Sequence, residues 1–134
     1  MTHEEKISWL SRYREAEKLY QRLSFRLAEV QEATRHITQN LSAAPGGSKD
    51  GQSLARAVER EEEAERRAYA QLAVLDALFA EIDAALVQLD ANEYCALRKY
   101  YLDGLKWEQV AADMNFTSRG IFALRRRAIE HLKL

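Results

Sequence analysis

Basic side chains are concentrated in the last twenty residues of this 134-residue chain. Between Asn115 and Leu134, five basic residues stand against one acid, Glu130, a local net charge of +4 (five minus one). The whole chain has 20 basic and 21 acidic residues, so this positive charge is local. Such groups neutralise phosphates, and the release of counterions from nucleic acid supplies most of the non-specific affinity. The basic residues are Arg119, Arg125, Arg126, Arg127 and Lys133.

Two helices are predicted ahead of the basic segment from their start and stop signals. Asp90 is a good N-cap for a helix that begins at Ala91, and Glu93 completes a capping-box pattern. This helix is expected to run to Gly104, because glycine readily takes the left-handed conformation that closes a helix. The next helix spans 107–114, where apolar residues at i, i+3, i+4 and i+7 form one face that starts with a core tryptophan.

The basic residues fall on a third helix that follows a tight turn. Asparagine enters the left-handed region with little strain, so the turn is predicted at Asn115-Phe116-Thr117. Thr117 or Ser118 then caps the last helix. At about 100° per residue, one apolar stripe of this helix should face the core. Its members are Ile121, Leu124, Ala128 and Leu132.

This order of elements is a helix-turn-helix, whose second helix enters the major groove of DNA. Double-stranded DNA is therefore the predicted partner. Arg119 and Arg126 share the outward face and are the stronger candidates for contact. Phe122 has two interpretations, contact with a thymine methyl group or packing against another element. The predicted DNA-binding residues are Thr117, Ser118, Arg119, Phe122, Arg125, Arg126, Arg127 and Lys133.

The stretch from about Leu89 to Leu132 resembles region 4 of the sigma-70 family, a promoter-reading helix-turn-helix. Asn115 stands where that family usually has glycine, and Lys106 stands where a Ser or Thr N-cap is common. Nothing in the chain resembles region 2, so it is not expected to act as a complete sigma factor. The resemblance implies a small phage or prophage transcription regulator, such as the ArpU-like proteins, and makes RNA polymerase a further candidate partner. The matching residues are Tyr100-Tyr101, Asp103-Gly104, Trp107-Glu108-Gln109-Val110-Ala111, Ser118-Arg119, Ile121, Arg127-Ala128 and Leu132.

Residues 1–89 are predicted to form a long antiparallel helical hairpin similar to a coiled coil. From Glu4 to Leu41 nothing breaks a helix, and apolar or small residues recur in alternating steps of four and three. The run 42–53 contains the only proline, Pro45, which together with three glycines predicts a flexible turn. A second seam follows the turn. Its members are Leu54, Val58, Glu61, Glu65, Ala68, Leu72, Leu75, Phe79, Ile82, Leu86 and Leu89.

The predicted fold class is therefore all-α, with the hairpin as one domain (1–89) and a three-helix helix-turn-helix unit as the second (90–134). Each hairpin helix has a single neighbour for its apolar stripe, so either the C-terminal helices or a second hairpin should pack on it. Chain geometry favours the C-terminal helices for at least part of this contact, because Leu89 leads directly into Asp90. A homodimer, whose paired helix-turn-helices read two half-sites, is also predicted. The charged run 59–67 is open to two interpretations. It is either a solvated helix face with i, i+4 ion pairs or an acidic surface for a basic partner.

Catalytic residues, cofactors and metal ions are not predicted. Cys95 has no histidine or acid arranged around it, and His3, His36 and His131 lack a metal-ligand spacing. The glycine pair 46–47 is not followed by the Gly-Lys-Ser/Thr of a phosphate-binding loop. No signal peptide is indicated, and acids interrupt the most apolar tract, so a cytoplasmic protein without membrane association is expected.

Two functions of different classes remain open at this level. The first is a DNA-binding transcription regulator whose hairpin mediates dimerisation or partner binding. The second is a structural protein, such as a small DNA-packaging component, that oligomerises through the hairpin. An enzyme is not expected, because no nucleophile–base pair or ligand cluster is present.

Overall fold

The computed structural model describes residues 1–43 and 48–134 and is all-α, as predicted. No strand occurs within these ranges. The six helices are α1 (His3–Leu10), α2 (Arg12–Ala43), α3 (Ser48–Leu86), α4 (Ala91–Tyr101), α5 (Trp107–Met114) and α6 (Ser118–His131).

The predicted unbroken helix from Glu4 to Leu41 is interrupted at Ser11, between α1 and α2. The Ser11 hydroxyl donates to the Ile7 carbonyl over 2.7 Å, which is also the carbonyl that accepts the Ser11 amide. A serine that bonds back to the preceding turn competes with the backbone ladder and bends helices. A hydrophobic pattern does not reveal this effect, since Ser11 is not one of the apolar positions that define the predicted helix.

The predicted turn 42–53 is too long at both ends. Helix α2 extends through Ala43 and α3 begins at Ser48, so residues 48–53 are helical. Gly51 lies inside α3, where a glycine costs about 1 kcal/mol relative to alanine. A helix of 39 residues sustains one such residue near its start. Residues 44–47, which include Pro45, lie outside the described residues.

The chain divides into two compact units. The terminal unit joins Met1–Glu17 to Leu75–Leu134, and the central unit is Lys18–Val74. The predicted boundary between residues 89 and 90 does not coincide with this division. The reason is hydrophobic, because one cluster of the terminal unit buries residues from both ends of the chain. It contains Leu10, Ile82, Leu86, Leu97, Tyr101, Leu102, Ala128, Ile129 and Leu132.

In the central unit, α2 and α3 run antiparallel, and the Thr34 hydroxyl lies 3.4 Å from the carbonyl of Ala57. The predicted seam on α3 is wrong in two positions, since Val58 and Leu72 are exposed. Ala57 and Ala64 are buried although the seam did not include them, whereas its members Ala68 and Leu75 are buried as predicted. Alanines let the two backbones approach, so the larger side chains of α2, such as Val30, fill the interface.

Candidate nucleic-acid interface

The helix that supports the site, α4, begins at a capped end as predicted. The carboxylate of Asp90 accepts the amide of Glu93 at 2.8 Å. That hydrogen bond stabilises the charged form and lowers the pKa of Asp90 below its ordinary value. The cap orients the first turn of α4 within the terminal unit.

The reciprocal half of the predicted capping box is replaced by a long-range contact. The Glu93 carboxylate is buried, with its Oε2 atom 2.7 Å from Nδ1 of His131 and 3.9 Å from Nε of Arg127. Burial of a carboxylate is costly unless charged or donor groups compensate it. Two residues of α6 compensate Glu93, so this carboxylate ties α4 to α6 rather than closing the start of α4.

The stop signals behave largely as the sequence indicates. Helix α4 ends at Tyr101, three residues earlier than predicted, and Gly104 follows with a positive φ of 77°. Asn115 ends α5 with φ 60° and ψ 42°, the left-handed conformation. The amide of Phe116 donates to the carbonyl of Ala111 at 2.8 Å. This six-to-one bond is that of a Schellman cap, so Asn115 performs the role that glycine usually has.

Lys106 precedes α5 and has no side-chain acceptor for a cap, as the sequence shows. Its backbone amide instead donates to Oε1 of Gln109 at 2.9 Å, which satisfies that donor from the third position of the helix. The start of α5 is therefore held by Gln109 despite the missing Ser or Thr.

Helix α6 is capped by Thr117, whose hydroxyl accepts the amide of Gly120 at 3.0 Å. Of the two candidate caps, the structure selects Thr117. The predicted apolar stripe is confirmed, because Ile121, Leu124, Ala128 and Leu132 are all buried. Ile129 is also buried, although the stripe did not include it.

Helix α1 explains the burial of Ile129. It packs on α6, and the ammonium of Lys6 donates to the carbonyls of Ile129 (3.1 Å) and Glu130 (3.3 Å). A cation at the last carbonyls of a helix also interacts favourably with the helix dipole. Helix α1 thus covers one flank of the C-terminal half of α6, whereas Arg119, Phe122 and Arg126 remain exposed.

The open surface of α6 contains most of the predicted DNA-binding residues. Within the described chain, the exposed Arg119, Arg126 and Lys133 have no ion-pair partner, whereas Arg127 faces Glu93. Ser118 and Thr117 are exposed at the start of the helix. Lys133 lies beyond the end of α6 at His131, so the prediction that the last helix carries it is wrong. Arg119 and Arg126, two cations of α6 without counter-charges, leave a positive face, which is the arrangement that phosphate binding requires.

Phe122 and Arg125 lie at the edge of that face, beside an aromatic cluster. Trp107 is partly buried and stacks on Tyr100 with ring centroids 4.3 Å apart. The guanidinium of Arg125 is 5.3 Å from the Trp107 ring, and the Phe122 ring is 6.4 Å from it. Phe122 therefore packs against Trp107, as one of its two interpretations has it, and 46% of the residue remains exposed.

Tyr101 is the buried member of this aromatic cluster, and its ring contacts Tyr100 and Trp107. Burial raises the pKa of the Tyr101 hydroxyl, and the charge of the nearby Arg125 opposes that shift in part. The cluster holds α4, α5 and α6 together, because each of these helices packs against the other two.

Comparison with protein-family models, curated proteins and solved structures found no match. Within the described residues, no helix is both long and apolar enough to cross a membrane. The same part of the chain contains no group of three or more His, Cys, Asp or Glu side chains placed to hold a metal ion. Cys95 is a free, half-buried thiol.

Proposed function

We propose that this protein is a DNA-binding transcription regulator that places α6 in the major groove. The observation that carries the proposal is the exposed face of α6, on which Arg119 and Arg126 lack counter-charges among the described residues. A major groove about 12 Å wide accommodates one helix. The packing of α4, α5 and α6 provides the rigid support that a recognition helix needs.

The N-terminal half of α6 is the part that enters the groove in this proposal. Ser118, Arg119 and Phe122 are exposed in this half, and the exposed Arg126 follows in the other half, whose last carbonyls are bound by Lys6 of α1. Recognition helices of helix-turn-helix proteins contact base edges with their N-terminal residues. Arg119 therefore reaches a base edge or a phosphate, and Arg126 reaches the backbone.

The central unit is proposed to mediate homodimerisation. Phe25 and Tyr69 are 70% and 67% exposed, although aromatic side chains are usually at least partly buried. Two copies that associate through such residues present two reading helices to half-sites about one DNA turn apart. RNA polymerase is a second candidate partner for this unit. We place the regulator in the cytoplasm, where DNA and RNA polymerase are both accessible to it.

The same exposed aromatic residues support one alternative function, a DNA-packaging or assembly component. An assembly component forms rings or higher oligomers, whereas a regulator is a monomer or dimer. Sedimentation of the purified protein separates the two. A single species larger than a tetramer would favour assembly over regulation.

The proposal is tested by selecting bound duplexes from a random DNA pool and titrating the best one by fluorescence anisotropy. Arg126→Gln is expected to weaken binding and to reduce the slope of log K against log salt by about one unit, since one phosphate contact is lost. Arg119→Gln is expected to weaken binding at least as much. The matched control is Arg22→Gln, which removes an exposed arginine of the central unit and should leave affinity and slope unchanged.

Absence of any duplex binding by the unaltered protein would overturn the proposal. So would equal affinities for the unaltered protein and the Arg119→Gln, Arg126→Gln double variant. Symmetric half-sites in the selected DNA would support the dimer, and a single unpaired site would contradict it.

A further inference from the structure

A cleft of about 310 Å³ opens between the start of α1 and the exposed edge of α6. Its walls are His3 from α1 and Phe122, Arg125 and Arg126 from α6. These residues lie more than a hundred positions apart in sequence, so neither segment forms the cleft alone. Residues from the two ends of the terminal unit therefore build one concave basic surface.

Helix α1 is held firmly enough to form one side of this cleft. Its first turn is closed by a capping box, in which Thr2 and Glu5 exchange hydrogen bonds of 3.1 and 3.3 Å. Its far end is fixed by Leu10, which is fully buried in the hydrophobic cluster of the terminal unit. Lys6 fastens its middle to the last carbonyls of α6. The position of His3 is consequently set by packing on both sides of it.

The side chains that line the cleft supply hydrogen-bond donors, and none of them is a carboxylate of opposite charge. The guanidinium of Arg125 lines the cleft, and its buried Nε atom belongs to the side that interacts with the Tyr101 hydroxyl. Neither Arg125 nor Arg126 has a carboxylate partner within residues 1–43 and 48–134, and no acid lines the cleft. Two guanidinium groups that line a cleft without an opposite charge attract an anion.

The shape and chemistry of the donors indicate which anion fits. Guanidinium groups present a planar fork of N–H donors that matches the oxygens of a phosphate, and imidazole supplies an N–H in either protonation state. Arg125 is held in place over Trp107, so little side-chain entropy is lost when it binds. Arg126 belongs both to this cleft and to the open face of α6.

We propose that the cleft formed by His3, Phe122, Arg125 and Arg126 binds a phosphate group, supplied by the DNA backbone beside the groove that α6 occupies. The start of α1 is then part of the DNA interface, although it is far from the helix-turn-helix in sequence. This proposal rests on the proposed function for the source of the phosphate. A free phosphate ion shares the same chemistry and is distinguished by the test.

The first arm of the test uses DNA in which single phosphates are ethylated at random. With the unaltered protein, ethylation at the phosphate that enters the cleft blocks binding. His3→Ala removes an exposed side chain with no core role, and it is expected to weaken binding three- to tenfold and to abolish the interference at that one phosphate. His3→Gln restores a donor and should recover part of the affinity. Arg22→Gln, outside the cleft, should leave the interference pattern intact.

The second arm uses inorganic phosphate without DNA. Titration followed by NMR is expected to shift the Nε–H resonance of Arg125 and the imidazole resonances of His3, and Arg126→Gln should reduce that shift. DNA binding that is unaltered by His3→Ala, with no phosphate-dependent shift at Arg125, would overturn the cleft while leaving the proposed function intact. Phosphate shifts in a protein that binds no DNA would keep the cleft, assign it to a free phosphate and refute the proposed function.

Discussion

Glu93 is the buried charged residue of the described chain, with only 3% of its side chain exposed. Its partners on α6 are much more accessible, since His131 and Arg127 are 57% and 54% exposed. Breaking the contact therefore has a different free-energy cost for the buried carboxylate than for its two exposed partners. A buried charge without partners retains its full desolvation cost, whereas the two exposed side chains of α6 return to water.

Removal of both α6 partners is expected to destabilise the protein more than removal of the carboxylate. The Arg127→Ala, His131→Ala double variant should lower the free energy of unfolding by about 2 kcal/mol, because Glu93 is left buried and unpaired. Glu93→Gln alone should cost about 1 kcal/mol or less, since an amide still accepts a hydrogen bond. Chemical denaturation at neutral pH measures both values.

The decisive control is the triple variant that adds Glu93→Gln to the double variant. It should be more stable than the double variant, because the uncompensated charge is gone. Equal stabilities would show that Glu93 is well solvated and that the contact between α4 and α6 contributes little.

At the scale of the element, the turn between α5 and α6 depends on the left-handed backbone of Asn115. In that region the Cβ atom of a side chain is sterically crowded. Asparagine tolerates the region better than most residues, because its short polar side chain can hydrogen-bond to the nearby backbone. The start of α5 is likewise stabilised locally. Lys106 cannot cap the helix with its side chain, but its backbone amide donates to the side chain of Gln109, three positions later.

Substitution of Asn115 separates conformational strain from loss of side-chain contacts. Asn115→Ala is expected to lower stability by about 1 kcal/mol, and Asn115→Gly is expected to leave it unchanged or raise it by a few tenths, since glycine adopts positive φ freely. Thermal unfolding is a sufficient measurement.

Ala112→Gly is the matched control for Asn115→Gly. Ala112 is exposed within α5, where glycine costs about 1 kcal/mol. If both glycine variants destabilised the protein equally, the left-handed conformation of Asn115 would not be the property that matters.

The seam of the central unit shows what pattern analysis lacks at this scale. The predicted seam of α3 includes Val58 and Leu72, which are exposed, and omits Ala57 and Ala64, which are buried. The members of the seam that are buried as predicted are Ala68, Leu75, Ile82 and Leu86. A hydrophobic pattern ranks alanine below valine and leucine, so it does not identify the alanines that lie at the interface.

At the scale of the whole molecule, the terminal unit needs both ends of the chain. Leu10 on α1 lies in the same cluster as Leu97 on α4 and Leu132 after α6. A fragment limited to residues 90–134 would expose this surface to water. The region that resembles a known DNA-binding unit is therefore smaller than the unit that folds.

Truncation of Leu10 tests this dependence. Leu10→Ala is expected to cost about 3 kcal/mol, because a fully buried leucine leaves a cavity. The unfolding transition monitored at Trp107, on α5, should move together with the global transition. Val87→Ala, at a residue that is 58% exposed, should change stability by less than about 0.5 kcal/mol. An unchanged transition in Leu10→Ala would mean that α1 is dispensable for this unit.

The sequence by itself determined the all-α class, the caps at Asp90 and Thr117, the left-handed stop at Asn115 and the buried stripe of α6. Each depends on hydrogen bonds between residues a few positions apart or on helical periodicity, and both are readable from spacing. Only the tertiary structure decided the partners of Glu93, the seam of α3, the burial of Ile129 and the cleft with His3. These contacts join segments that are distant in the chain, and their geometry follows from how helices pack rather than from any local preference.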